Sequence, residues 1–297
     1  MSQLIERVLD VLELLAARPA GMALSDLCRD RKLPKVTAHR VLSTMVERGF
    51  VEQDKFSERY RLTLKTTAIG FQFLAETRIT DLCQPILDKV AVKTGELARL
   101  AIADGDSLTW VAKSQGALSG LKYDPNMGHP VVLHATAVGR AWLATLEEAK
   151  ALRIVRARGF AVPDHFHRCS VTSEAMLRAE LARIRKRGYG LAREEGEAGM
   201  AAVGCAVFDP FDPTRAVATV SVAGPIVRIT SSRIPDIAAV LKVAAGDLSS
   251  MWPMRQFALG TSSPVDEATG SPGTKPQEHQ GSGHAQVHRP TTTRRKR

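Results

Sequence analysis

Residues 25–62 read SDLCRDRKLPKVTAHRVLSTMVERGFVEQDKFSERYRL, and the order of elements in this stretch decides the fold: a short helix, a tight turn, a second helix, a glycine stop and a two-stranded hairpin. In the second helix Ala38, Val41, Leu42, Met45 and Val46 recur at i, i+3, i+4, i+7 and i+8, which gathers them on one face for burial. The opposite face carries Lys35, Thr37, His39, Arg40, Ser43 and Thr44, with no acid before Glu47. Pro34 suits the first turn, because its missing N–H has no partner there. Gly49 stands where the chain must leave through a left-handed conformation. Upstream, Ser25 is placed to cap a shorter helix that turns Leu27 inward, and the break at residues 32–34 has the length of a helix-turn-helix connection. Residues 50–51 and 60–62 pair as strands around the polar tip DKFSER, which makes the unit a winged helix-turn-helix.

A helix with one apolar face and one compact, polar, cationic face fits the DNA major groove, where its N-terminal residues meet base edges and phosphates. Arg40 is the side chain best suited to a guanine edge. Lys55 and Arg59 on the hairpin extend the reach to a neighbouring phosphate or the minor groove. Periodicity alone fits equally well a small helical domain whose polar face merely meets water. The turn, the glycine stop and the basic hairpin together favour double-stranded DNA as the partner.

At 297 residues, with 44% hydrophobic, the chain is long enough for two cored domains and a tail. The formal charge of +10 and a pI near 9.7 favour a polyanionic partner. Residues 1–80 hold 13 Lys+Arg against 10 Asp+Glu, a surplus of 3, so binding must rest on a local surface and not on bulk charge. No apolar run approaches the ~18 residues of a membrane span. The start, MSQLIERVLD, carries acids and lacks the shape of a signal peptide. Cys28, Cys83, Cys169 and Cys205 are scattered without a CxxC, as expected of reduced thiols in a cytoplasmic protein.

Outward from the reader, residues 3–17 predict a helix with Leu4, Ile5, Val8, Leu9, Val11, Leu12, Leu14 and Leu15 on more than one side. One stripe can pack on its own domain and leave another for a partner chain, and a homodimer suits the half-site symmetry of such readers. Residues 65–78 predict a connecting helix with Ile69, Phe73 and Leu74 on one side, continuing into a helix over 81–94 with Leu82, Ile86, Leu87 and Val90. The domain boundary is placed near residue 78, at a stiff joint without a Gly/Ser linker. Strands are expected at 97–103 and 108–113 around the turn ADGDS, with short ones at 121–123 and 131–133. Helices follow at 136–146 and 173–187, the second ending at Gly188, then strands at 203–208 and 216–223 and a closing helix over 232–252.

The whole is α+β: a winged helix-turn-helix over 1–64, a linker helix over 65–78, an α/β sensor-like domain with a largely antiparallel sheet over 79–256, and a tail over 257–297. The tail is rich in Thr, Ser, Pro, Gly, Gln and His and has no apolar period, so disorder is expected. Its RRKR end either adds nonspecific phosphate attraction or is simply solvated.

His165, His167 and Cys169 form an HxHxC run able to offer at most three metal ligands; with no fourth in view, an exposed loop is the simpler reading. His134, opening the HATA segment, either fixes the following helix through its backbone or touches a ligand. Glu194 and Glu195, if in a strand, point to opposite faces and cannot act as a facing acid/base pair. No Gx₄GK[ST], GxSxG or HExxH occurs. No enzyme activity and no cofactor are therefore expected, with a ligand-processing domain on a DNA anchor as the alternative.

The segments RVLDVLELLA, LPKVTAHRVLSTMVERGFVE and RYRLT resemble the IclR family of bacterial transcription regulators, and LHATAVGRAWLA, REEGEAGMAAVGCAVFD and VATVSVAGPIVRIT continue the resemblance in order across residues 3–252. It implies an N-terminal winged helix, a linker helix and a C-terminal GAF-like effector-binding domain, in dimers often paired into tetramers. It also implies a small organic acid or aromatic compound as effector, under a loop on one face of the sheet. Carried over by position, the pocket involves Ser119 and Gly120 on the loop, the 192–202 segment with His134 nearby, and the strand holding Ser221 and Ala223. Ala192 stands where the family commonly has an acid, Ala202 where a cysteine is common, and Ala223 where a second serine is common. Each change removes a polar partner, which disfavours the smallest polar acids and favours a larger effector such as an aromatic acid. A pocket that has lost its ligand, in a constitutive regulator, is the alternative. In the responsive reading, ligand closing the pocket shifts the linker helices and changes the spacing of paired reader helices.

Overall fold

The computed structural model describes residues 3–258 apart from 126, 128–130 and 165. Its first elements are α1 (Gln3–Ala16), α2 (Leu24–Arg31), α3 (Lys35–Glu47), β1 (Val51–Gln53) and β2 (Tyr60–Leu62). Val11 and Leu15 of α1, Leu27 of α2, and Ala38, Val41, Leu42 and Met45 of α3 close one apolar core with Val51 and Tyr60 of the hairpin. The strands pair antiparallel with Val51 opposite Leu62. Gly49 leaves α3 at φ +72°.

Local details differ from the sequence reading. Val46 is exposed: eight residues beyond Ala38 it has rotated about 80° from that residue, past the edge of the buried stripe. Pro34 precedes α3 as its N-cap residue, in an extended conformation. Ser25 caps nothing, since α2 begins one residue earlier behind Ala23. Lys32, at φ 51°, makes the left-handed turn between α2 and α3.

Next come α4 (Lys65–Thr77) and α5 (Ile79–Thr94), separated by Arg78 in a left-handed conformation. Ile69, Phe71 and Phe73 on α4 are exposed. Beyond them lie β3 (Leu97–Asp104), β4 (Ser107–Gln115), α6 (Ala137–Leu143), α7 (Glu148–Arg158), α8 (Glu174–Arg187), β5 (Gly190–Arg193), β6 (Met200–Phe208), β7 (Ala216–Pro225) and α9 (Ile234–Ala258). The five strands form one antiparallel sheet in the order β4-β3-β7-β6-β5.

Alternation gives this sheet two different faces. Leu100, Ile102, Val203, Cys205, Val207, Val220 and Val222 pack beneath α5 and α9 as the main core. The other face is built from small residues. Arg99 of β3 lies opposite Ser221 of β7, which lies opposite Gly204 of β6, and Ala223 lies opposite Ala202. Helix α6 sits directly on this face. A Cβ on Gly190 would lie 2.1 Å from the Ala137 carbonyl oxygen, and one on Gly204 would lie 3.0 Å from Val138 N. Small residues thus admit α6 and leave a hollow beside it.

The strands expected at 121–123 and 131–133 do not form. Val131 and Leu133 are instead buried against α6, so their apolar character serves packing and not pairing. Helix α7 and strand β5 were not foreseen. Five charges in EAKALRIVRAR obscure the short stripe of Ala151, Leu152, Ile154 and Val155 in α7, and β5 is only four residues long. The helix expected over 136–146 is shorter: Thr136 caps it through the Gly139 N–H at 3.1 Å. Helix α9 runs past residue 252 to Ala258, taking the first residues assigned to the tail; residues 259–297 lie outside the described residues. No helix among the described residues is long and apolar enough to cross a membrane.

Candidate DNA-reading and ligand-binding sites

On α3, burial of Ala38, Val41, Leu42 and Met45 turns the polar face outward. Lys35, His39, Arg40 and Thr44 are exposed, with Thr37 and Ser43 half-buried at the edges. Ser43 Oγ and His39 Nδ1 stand 3.5 Å apart, and the Thr44 hydroxyl donates to the Arg40 carbonyl at 3.1 Å. Among the described residues Lys35 and Arg40 have neither an ion pair nor a side-chain hydrogen bond, so both cations are open to an external anion. Val36 is also exposed and shares this face with Arg40, one turn on, and with Ser43. It was passed over in the sequence, yet an apolar side chain here is of the kind that meets a thymine methyl group.

Two of the three cations on the wing are already engaged within the chain. Arg61 Nε donates to Glu52 at 2.7 Å, and Arg59 Nη1 donates to the Gly21 carbonyl at 3.1 Å, tying the wing to the chain before α2. Lys55 is exposed and unpaired among the described residues.

A small pocket of about 60 Å³ opens on the small-residue face of the larger sheet, lined by Ala192, Ala202, Ser221, Ala223 and Glu195. A wider cleft of about 980 Å³ adjoins it, and the two share Arg99, Trp110, Tyr123, Thr136, Gly196 and Glu197. His134 lines the cleft, but its Nε2–H donates to the Phe160 carbonyl at 3.2 Å and its ring meets Phe160 edge-on. Burial pushes its pKa below the ordinary histidine value, so it is neutral near pH 7. Ser119 and Gly120 are exposed after β4 and line neither cavity.

Arg99 is the feature the sequence reading missed. It is 9% exposed, with its guanidinium 3.9 Å from the centre of the Trp110 ring and 5.7 Å from that of Tyr123. Among the described residues no carboxylate lies within 4 Å of it, and Nε has no hydrogen-bond partner. Burial lowers its pKa, opposed by the Tyr123 hydroxyl through charge and a hydrogen bond and then by the more distant Glu197 and Asp124, but a guanidinium keeps its charge in proteins. Ser221, its register partner, is buried too, and its hydroxyl is likewise unpaired. A buried cation beside an orphan hydroxyl, both at one pocket, is the chemistry of an anion site. The signal was available: a lone arginine in the strand LARLAIAD, among residues otherwise suited to a core.

The pocket roof is held by a second buried pair. Arg140 of α6 donates Nη1 to Glu195 Oε1 at 2.8 Å and Nη2 to Oε2, while its Nε–H goes to the His134 carbonyl at 2.6 Å. Ser170 adds its N–H to Glu195 Oε2 at 2.9 Å and its hydroxyl at 3.0 Å. Glu195 is therefore neutralised from within and does not compete for Arg99. Glu194 sits at φ 53° in a turn, not in a strand, and faces Arg168 at 3.6 Å. The two acids do diverge, by a backbone turn rather than by strand alternation. Cys169 donates to the Val171 carbonyl, and among the described residues no group of three or more His, Cys, Asp or Glu is placed to hold a metal ion; His165 lies outside the described residues.

Comparison with known proteins places both regions. The IclR helix-turn-helix domain matches residues 4–55, and the bacterial transcriptional regulator IclR C-terminal domain matches residues 71–250. The chain is 28% identical over 248 residues to the transcriptional repressor IclR of Escherichia coli K12, covering 83% of this chain and 89% of that one. The crystal structure of Thermotoga maritima IclR superposes with a TM-score of 0.61 at 26% identity, over 83% of this chain and 97% of that one. An IclR homologue from Microbacterium hydrocarbonoxydans, solved in complex with 4-hydroxybenzoate, gives a TM-score of 0.67 at 21% identity, over 85% and 100%. With one model matching its DNA-reading end and another most of the remainder, this chain belongs to the IclR family of bacterial transcription regulators.

Proposed function

We propose that this family member is a ligand-responsive regulator, acting in the cytoplasm as a homodimer, whose effector is an organic acid, an aromatic one by preference. Residues 1–64 form the DNA-binding domain, 65–78 the linker helix and 79–256 the effector domain. Helix α3 enters the major groove of an operator, where Arg40 reads a guanine edge and Lys35, Thr37, His39, Ser43 and Thr44 meet neighbouring bases and phosphates. Lys55, with Arg59 behind it, reaches the backbone from the wing. The apolar residues Leu4, Ile5 and Leu9 of α1 and Ile69, Phe71 and Phe73 of α4, all exposed in one chain, suit burial against a second copy.

The observation that carries the effector class is Arg99, buried and, among the described residues, with no carboxylate within ion-pair distance. Left alone, a desolvated guanidinium is costly, and a ligand carboxylate that pairs with it and accepts from Ser221 removes that cost. The aromatic part of the ligand would lie towards the cleft beside Trp110 and Tyr123, over the methyls of Ala192, Ala202 and Ala223. The Microbacterium homologue, which binds 4-hydroxybenzoate, is in keeping with this class. The alanines alone would equally suit a constitutive regulator with a lapsed pocket; a buried cation with no carboxylate in ion-pair contact favours a working one. Because the ligand binds one arrangement of the pocket better than another, it shifts the linker helices and with them the spacing of two α3 helices.

Calorimetry and thermal unfolding with benzoate, 4-hydroxybenzoate and their amides test this reading. The acids should bind and raise the melting temperature while the amides do not, and Arg99→Gln should abolish the difference. Bound acid should change affinity for a DNA duplex selected by the protein by about 5- to 150-fold. Equal binding of acid and amide, or acid binding untouched in Arg99→Gln, contradicts it.

A further inference from the structure

At the tip of the wing Phe56 is 98% exposed, the highest value among the large hydrophobic residues described. The turn beneath it is fixed. Asp54 Oδ1 accepts from the N–H of Phe56 at 3.1 Å, the N–H of Ser57 at 2.7 Å and the Ser57 hydroxyl at 2.8 Å. Backbone bonds from Asp54 N to the Arg59 carbonyl and from Glu58 N to the Asp54 carbonyl, both 2.9 Å, close the loop. Gln53 Nε2 reaches the Glu58 carbonyl at 3.2 Å, and Glu58 accepts a left-handed φ of 55° to complete the turn. The ring is thus presented on a braced support.

The charge on this hairpin argues for a role other than phosphate attraction. Glu52, Asp54 and Glu58 balance Lys55, Arg59 and Arg61, so residues 51–62 carry no formal net charge. Two of the three cations are engaged, Arg61 with Glu52 and Arg59 with the Gly21 carbonyl. What remains at the tip is one lysine and one aromatic ring. Large apolar side chains exposed beside a cation are the pattern by which proteins enter the minor groove: the cation seeks the groove's negative potential, and the ring wedges against or between base pairs.

We propose that Phe56, beside Lys55, is the wing's contact with the bases, an apolar wedge that enters the minor groove next to the major-groove site of α3, partly unstacks a base step and bends the operator. This rests on the DNA-reading function proposed for α3. It assigns the wing a specificity of its own, since steps that unstack easily, such as TA and CA/TG, would be preferred under Phe56.

The test uses the full chain and a duplex enriched from random sequence by the wild-type protein. Affinity is read by anisotropy over a salt series, bending by circular permutation, and unstacking by 2-aminopurine placed at each step under the wing. Phe56→Ala should lower affinity by roughly 5- to 150-fold, with the salt dependence unchanged, and should lose both the bend and the 2-aminopurine signal. Phe56→Leu, which keeps an apolar wedge, should retain part of each. Lys55→Ala should instead reduce the salt slope by about 0.9. The melting temperature of Phe56→Ala should equal that of wild type, because the ring has almost no packing to lose. If Phe56→Ala binds and bends the duplex as wild type does while Arg40→Ala loses recognition, the wedge is wrong and the reader stands. If the wild-type chain enriches no duplex, both fall.

Discussion

Arg140 and Glu195 show how a single pair can hold a site without belonging to its chemistry. Their side chains are 2% and 5% exposed, and 55 positions separate them in the chain. Between them they tie α6, the turn after β5 and Ser170 into the roof of the small pocket. Breaking a buried pair strands the surviving charge, so Glu195→Ala should cost about 3–5 kcal/mol in thermal or denaturant unfolding. A loss below about 1 kcal/mol would show that water or a rearranged loop satisfies Arg140. No local pattern in the sequence announces this pair, since both residues lie in segments that read as ordinary polar turns and helices. Arg99 differs: a cation inside an apolar strand was legible as a puzzle, although its neighbours Trp110 and Tyr123 were not. Tyr123 falls in the segment 121–123, where the expected strand does not form. Phe56 was hidden by company, one ring inside a tip read as polar throughout.

At the scale of elements, the reader was legible because its rules are local. Apolar spacing, a proline at the helix start and a glycine at φ +72° fix α3 without help from the rest of the chain. The larger sheet depends on long-range pairing, and there the sequence gives less. Ala192, Ala202, Ser221 and Ala223 line one pocket, but Ser119 and Gly120 do not line it. Helix α6 supplies a case where two local rules disagree. Alanine is the better helix former by about 1 kcal/mol, which favours Gly139→Ala. A Cβ there, however, would stand 2.3 Å from the Leu133 carbonyl oxygen, a backbone atom with little room to yield. Sterics should win: Gly139→Ala should lower stability by about 1–3 kcal/mol and loosen the pocket wall that α6 forms. A raised melting temperature would mean that the segment before α6 moves freely, and would undo the close seating described for this helix.

At the scale of the molecule, two surfaces of opposite character share one chain: an outward polar helix face that can meet DNA, and a buried arginine to which we assign the acid group of the proposed effector. Helices α4 and α5, broken only at Arg78, connect them without a flexible linker. Each surface is useful to a regulator only with the other, and the reader comes first, because a pocket without it reports to nothing. The most direct measurement is therefore the affinity of wild-type and Arg40→Ala protein for the selected duplex and for random DNA at one salt concentration. Arg40→Ala should lose about 1–3 kcal/mol on the selected duplex and relax the sequence preference there, with a much smaller loss on random DNA. Equal losses on the two, or no loss on either, would contradict the placing of α3 against the bases.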